Sequence, residues 1–131
     1  MIATPLAGNL LGSTKHDFIL AEWRDPGGAV EPPRFIAPLH VHYGDDEAWY
    51  VLEGSLCVRV GDEDVTAHAG AGVLVERGTP HTYWNPGPGP VRYLLCMTPN
   101  ILRLIEAIHV LEERSQAALA ALFERHNSAL L

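Results

Sequence analysis

His40-Val41-His42-Tyr43-Gly44-Asp45-Asp46-Glu47-Ala48-Trp49-Tyr50-Val51-Leu52-Glu53-Gly54 is the stretch on which the reading of this chain turns. Strand side chains alternate between two faces with a period of two, so His40 and His42 project from one face and aim two imidazoles at one point. Tyr43-Gly44-Asp45-Asp46 is a turn-like segment. A second strand then begins at Glu47, which brings its carboxylate back beside the imidazoles. Glu53-Gly54-Ser55 reads as the next tight turn, with glycine supplying a positive φ. Two histidines and a carboxylate converging from two adjoining strands form a candidate metal-binding corner.

Working outward, short apolar or alternating runs recur between Gly, Pro, Asp and Asn clusters, and each reads as a strand. They are Asp17–Trp23, Arg34–His42, Glu47–Glu53, Leu56–Val60, Asp64–Ala67, Val73–Glu76, Thr82–Asn85 and Val91–Met97. Pro86-Gly87-Pro88-Gly89-Pro90 falls between the last two and is a loop, because proline has no N–H for a strand ladder. Many short strands with regular turns predict an all-β sandwich or closed barrel. After Thr98 the period changes. Ile101, Leu104, Ile105, Ile108 and Leu111 recur at helical spacing, and Leu119, Leu122 and Phe123 repeat the pattern. Thr98-Pro99 is a suitable helix start and Ser115 can cap a second helix, so one kinked helix and two short ones are both open. This amphipathic tail is expected to cover an outer sheet face or a dimer partner.

A fourth ligand-type residue lies in Gly78-Thr79-Pro80-His81, followed by Asn85. The two segments together, His40-x-His42, Glu47 and Gly54, then Gly70, Gly78, His81 and Asn85, resemble the two motifs of the cupin superfamily. The resemblance covers about residues 36–97. One position departs from it: Glu76 stands where the family usually has proline. The tail is more loosely similar to that of small single-domain bacterial cupins (cupin type-2, quercetin-dioxygenase-like). The resemblance implies a single-domain jelly-roll β-barrel over residues 1–98 with a metal inside one end. Residues 99–131 would be a helical extension packed on the barrel or a dimer partner. Its metal ligands would be His40, His42, Glu47 and His81.

Three imidazoles and one carboxylate suit one divalent transition metal: Fe, Mn, Ni, Co, Cu or Zn. Calcium and magnesium prefer all-oxygen shells. Four protein ligands on an octahedral ion leave two positions for substrate or dioxygen. Strand parity places Ile36, Trp49, Val51 and Tyr83 around the site as a mostly apolar, aromatic pocket for a small-molecule substrate. Tyr83 is the candidate acid, base or orienting group. No inward Lys or Arg is evident beside the motif, which disfavours a phosphorylated sugar. These features predict a metal-dependent dioxygenase acting on a small aromatic or enolic molecule. The alternatives are a non-redox isomerase or lyase, and a non-catalytic metal- or ligand-binding module.

Composition sets the outer bounds. The 131 residues fit one domain, and 47% hydrophobic with 19% charged residues is ordinary globular composition. Nine basic against sixteen acidic residues give a net charge of -7, and Lys and Arg are nowhere concentrated. Nucleic acid and membrane are therefore not expected partners. The first twelve residues do not read as a signal peptide, and no run approaches the ~20 apolar residues of a membrane helix. Cys57 and Cys96 lie in separate strand-like runs and read as reduced thiols, so a cytoplasmic location is expected. Open sheet edges and the prevalence of two-fold assemblies predict a homodimer.

Overall fold

The computed structural model describes residues 9–131. Residues 1–8, on which the absence of a signal peptide partly rests, lie outside the described residues. Ten strands and two helices follow one another: β1 (Leu10–Leu11), β2 (Ile19–Asp25), β3 (Phe35–His42), β4 (Glu47–Glu53), β5 (Ser55–Val60), β6 (Glu63–His68), β7 (Gly72–Val75), β8 (His81–Trp84), β9 (Val91–Met97), α1 (Pro99–Val110), α2 (Gln116–Arg125) and β10 (Ser128–Leu130). All eight strands expected from the sequence are present, Glu47–Glu53 and Val91–Met97 with the expected bounds and the others shifted at an end by no more than two residues. The chain crosses repeatedly between two antiparallel five-stranded sheets, ordered β1-β2-β9-β4-β7 and β10-β3-β8-β5-β6. This is the jelly-roll arrangement.

Alternation explains the layers. In β4, Glu47, Trp49 and Val51 are buried while Tyr50 is exposed. In β9, Val91, Tyr93, Leu95 and Met97 point inward, and Arg92, Leu94 and Cys96 outward. The inward sets meet Ile19, Ala21, Leu56, Val58 and Val75 to form one core. Each such fully buried aliphatic side chain contributes about 1.5–3 kcal/mol relative to exposure. Gly54 makes the β4–β5 corner at φ +77°, and a Cβ there would run into the Pro90 carbonyl. Cys57 and Cys96 are free thiols, on different sheets.

The tail resolves into two helices. Thr98 caps α1, its Oγ1 accepting the Ile101 N–H, and Ser115 caps α2 in the same way with Ala118. Ile101 and Leu102 join the main core, while Leu104, Leu122 and Phe123 form a second cluster. The helices do not lie along an outer sheet face. They close the end of the sandwich at which β3 finishes and β4 and β8 begin, with Phe123 5.5 Å from His40 between ring centres. The chain then returns as β10 and pairs with β3, Ser128 opposite His42 and Leu130 opposite His40. Among the described residues no helix is long and apolar enough to cross a membrane.

Candidate metal centre

β3 runs into the closed end and delivers His40 and His42 from one sheet. Glu47 opens β4 on the facing sheet, and His81 opens β8 directly opposite His40. All four are buried. His40 Nε2 lies 3.1 Å from His42 Nε2, and Glu47 Oε2 lies 3.1 Å from His81 Nε2 and 3.3 Å from His42 Nε2. One ligand atom from each residue falls within 4.8 Å of all the others.

The outer nitrogens show which tautomers are present. His40 Nδ1 meets the Pro38 carbonyl and His81 Nδ1 the Thr79 carbonyl at 2.9 Å. Carbonyls only accept, so both rings carry their proton on Nδ1. His42 Nδ1 lies 2.7 Å from Ser128 Oγ, whose own proton goes to the His126 carbonyl at 3.1 Å. The serine oxygen therefore accepts, and His42 is protonated on Nδ1 as well. Three Nε2 lone pairs are thus turned toward one another and toward a carboxylate oxygen. Buried lone pairs crowded at 3.1 Å repel unless a cation or a proton sits among them. The charge states agree. Burial, reinforced by His81 and His42, pushes the His40 imidazole down to about 4, so it is neutral at neutral pH. Burial alone would raise Glu47, but its close approach to the His42 and His81 rings outweighs burial and holds the carboxyl at about 2. Three imidazoles and one carboxylate form a donor set that can hold a divalent metal ion.

The loops around this set are tied to one another. The Gly78 N–H donates to the His42 carbonyl at 2.7 Å, which fixes the approach to His81. Asp46, expected to form a solvated turn, pairs with exposed Arg77 and links the two ligand-bearing loops. Asp45 accepts from Thr98 Oγ1 and Asn100 Nδ2, both at 2.8 Å, so the loop between His42 and Glu47 also anchors the start of α1. Asn100 donates in turn to the His126 carbonyl that Ser128 uses. Asn85 does not approach the donor set; it bonds Gly87 and Gly89 and shapes the proline-rich loop.

A cavity of about 410 Å³ opens onto the donors. Ile36 and Tyr83 line it, with His40, His42 and Glu47. Trp49 and Val51 stand behind this wall, where Trp49 packs 5.8 Å from His81 and 5.2 Å from Tyr83 between ring centres. The rest of the wall includes Trp23, Tyr93, Leu95, the helical Ile101, Leu104, Ile105 and Phe123, and His109, none of which the sequence reading assigned to the site. Inward parity with Leu95 could have identified Tyr93; the helical residues carried no signal beyond amphipathicity. Arg24 is the one Lys or Arg on the lining, and it is exposed. Burial pushes the Tyr83 phenol well above its usual range and Tyr93 up to about 12. Both remain protonated at neutral pH.

Residues 26–97 match the cupin domain family, a span that contains all four donors. An uncharacterized protein of Methanocaldococcus jannaschii is 33% identical over 71 residues, 54% of this chain and 57% of that one. The tetracenomycin polyketide synthase protein TcmJ of Streptomyces glaucescens is 37% identical over 60 residues, 46% of this chain and 40% of its own. The chain thus spans about half the length of these relatives. Among solved structures, TT1209 of Thermus thermophilus superposes with a TM-score of 0.54 at 28% identity, covering 63% of this chain and 73% of its own. The helical tail lies outside the matched family segment, while the three strands that carry the donors, β3, β4 and β8, lie within it. A match over more than half of the 131 residues, with the donors at its heart, places the chain in the cupin family.

Proposed function

We propose that His40, His42, Glu47 and His81 bind one divalent transition metal, and that the protein is a metal-dependent dioxygenase acting on a small aromatic or enolic molecule. The carrying observation is the four-donor cluster, three members of which, His40, His42 and Glu47, line a cavity walled mostly by aliphatic and aromatic side chains. When bound, a redox metal with two free positions would supply chemistry toward dioxygen and polarise a substrate oxygen. The chain supplies the rest. Ile36, Leu95, Ile101 and Leu104 offer apolar surface to a flat ligand and, with Phe123, restrict water. A wall without a buried cation does not suit a phosphorylated substrate.

The tyrosines do not supply the base that a non-redox isomerase or lyase needs. Such chemistry needs an acid or base poised near neutrality, whereas both phenols stay protonated far above that range. Tyr83 therefore serves here as a donor and orienting group rather than a base. The similarity to a protein named for a polyketide synthase supports the substrate class, since polyketides are rich in enolisable ketones. The test is oxygen uptake by natively expressed, metal-analysed protein offered a flavonol, a β-diketone and a catechol. Stoichiometric consumption with at least one, lost in His42→Ala, is expected. No consumption by iron-, nickel- or manganese-loaded protein with any of the three overturns the dioxygenase assignment.

A further inference from the structure

Tyr83 on β8 and Tyr93 on β9 reach across the sandwich from opposite sheets, and their hydroxyls meet at 2.9 Å. Both are buried and both line the cavity. A hydroxyl pair contains two protons, and the bond between the oxygens uses one. The other has no acceptor among the described residues. Trp49, whose ring packs against Tyr83, adds a second buried donor: its Nε1–H has no close acceptor and leans only toward the Tyr83 oxygen. This corner leaves a phenol proton without an acceptor inside a mostly apolar wall. Buried donors are ordinarily satisfied, and one left unmade costs about 1–3 kcal/mol.

The group that corrects such an imbalance brings an acceptor and no proton. A ketone or quinone oxygen does so; a ligand hydroxyl would bring a further donor along with its acceptor. A carboxylate would place a second negative charge in the cavity that already contains Glu47. The surrounding Ile36, Leu95 and Ile101 require the rest of the ligand to be apolar.

We propose that the Tyr83–Tyr93 hydroxyl pair is a carbonyl-recognition subsite, which holds a ketone or quinone oxygen of an aromatic ligand whose other end faces the His40, His42 and Glu47 donors. The subsite rests on the small aromatic or enolic substrate class proposed above and names the functional group that class must carry.

The test uses α-tetralone and tetralin, one bicyclic skeleton with and without a carbonyl oxygen. Binding of each to zinc-loaded protein is measured by equilibrium dialysis. Infrared difference spectra record the bound carbonyl stretch with zinc and without. The informative variant is the double substitution Tyr83→Phe with Tyr93→Phe, because either phenol alone retains a free proton. Removing both members of a buried pair and keeping their shape is close to neutral for folding, so metal content should remain one to one. The preference for α-tetralone over tetralin should fall about three- to tenfold, the equivalent of one neutral hydrogen bond. The lowered carbonyl frequency should appear in wild type with and without zinc and revert in the double variant. An unchanged preference and frequency in that variant overturn the subsite. If neither probe binds wild type while zinc is retained, the aromatic substrate class fails, and the subsite with it.

Discussion

Replacing Ser128 with alanine deletes one oxygen beside the donor set and leaves all four donor side chains intact. Ser128 Oγ lies 2.7 Å from His42 Nδ1, and with the two residues 2% and 3% exposed, bulk water cannot take its place. His42 then either keeps an Nδ1 proton with no acceptor, at a cost of about 1–3 kcal/mol, or moves that proton to Nε2 and withdraws its lone pair from the centre. Each outcome weakens metal binding. Loss of such an orienting partner ordinarily lowers affinity about 10- to 100-fold, which is about 1.4–2.7 kcal/mol. The two routes give the same magnitude. Competition against a chromogenic zinc chelator measures it, and nitrogen chemical shifts of the His42 ring report which nitrogen carries the proton. An affinity within twofold of wild type, with His42 still protonated on Nδ1, would refute the claim that Ser128 holds this ring for the metal.

Metal removal should lower thermal stability. At a free metal concentration of 100 Kd the stabilisation is about 2.7 kcal/mol, or about 10 °C for a chain of this size; calorimetry with and without a chelator would show equal melting temperatures if no metal binds. Asp25 gives a pH prediction. Burial raises its carboxyl, but the Gly27 N–H and Arg34 outweigh burial and hold it below the ordinary 3.8. A lowered folded value means stability that is complete above about 3.8 and lost as pH falls through the folded value. Asp25→Asn should cost about 1–2 kcal/mol at pH 7, discounted for the exposed Arg34, and flatten the acid limb of urea denaturation curves; an unchanged limb would count against the pairing. Finally, the outward Leu20, Tyr50, Leu74 and Leu94 form an apolar patch on the β2-β9-β4-β7 sheet, which we propose as the homodimer contact. Light scattering should find a dimer in wild type and a monomer in Leu74→Glu, and a wild-type monomer would end that proposal.

The strands were legible because each carries a full period of alternation between turn residues. Two of the donors, His40 and His42, followed from parity on a single strand, and Glu47 from the shortness of the turn after it. His81 required the second motif, since nothing local to it says that it will face Glu47, thirty-four residues away. β10 was not legible. Ser-Ala-Leu has no periodicity of its own, and its strand state comes from docking on β3, a tertiary effect. Ser128 was missed with it. The tail was read correctly as amphipathic, but amphipathicity does not say what is covered. Here that is the cavity end, because Asp45 fixes the start of α1 beside the donor loop.

That last strand also has a consequence for the order in which the centre is built. Glu47 and His81 are 34 residues apart, whereas His42 and Ser128 are 86 apart. Loop-closure entropy rises with the logarithm of separation, so the second contact costs about 0.8 kcal/mol more to close. Long-range contacts of this kind tend to form late in folding. The donor quartet is thus expected to gather while His42 is still free to present either ring nitrogen, and the docking of β10 selects the correct one afterwards. Metal that arrives early would meet a site with a misdirected imidazole available to it. Maturation of this centre would then be limited by the closing of a strand that donates no ligand.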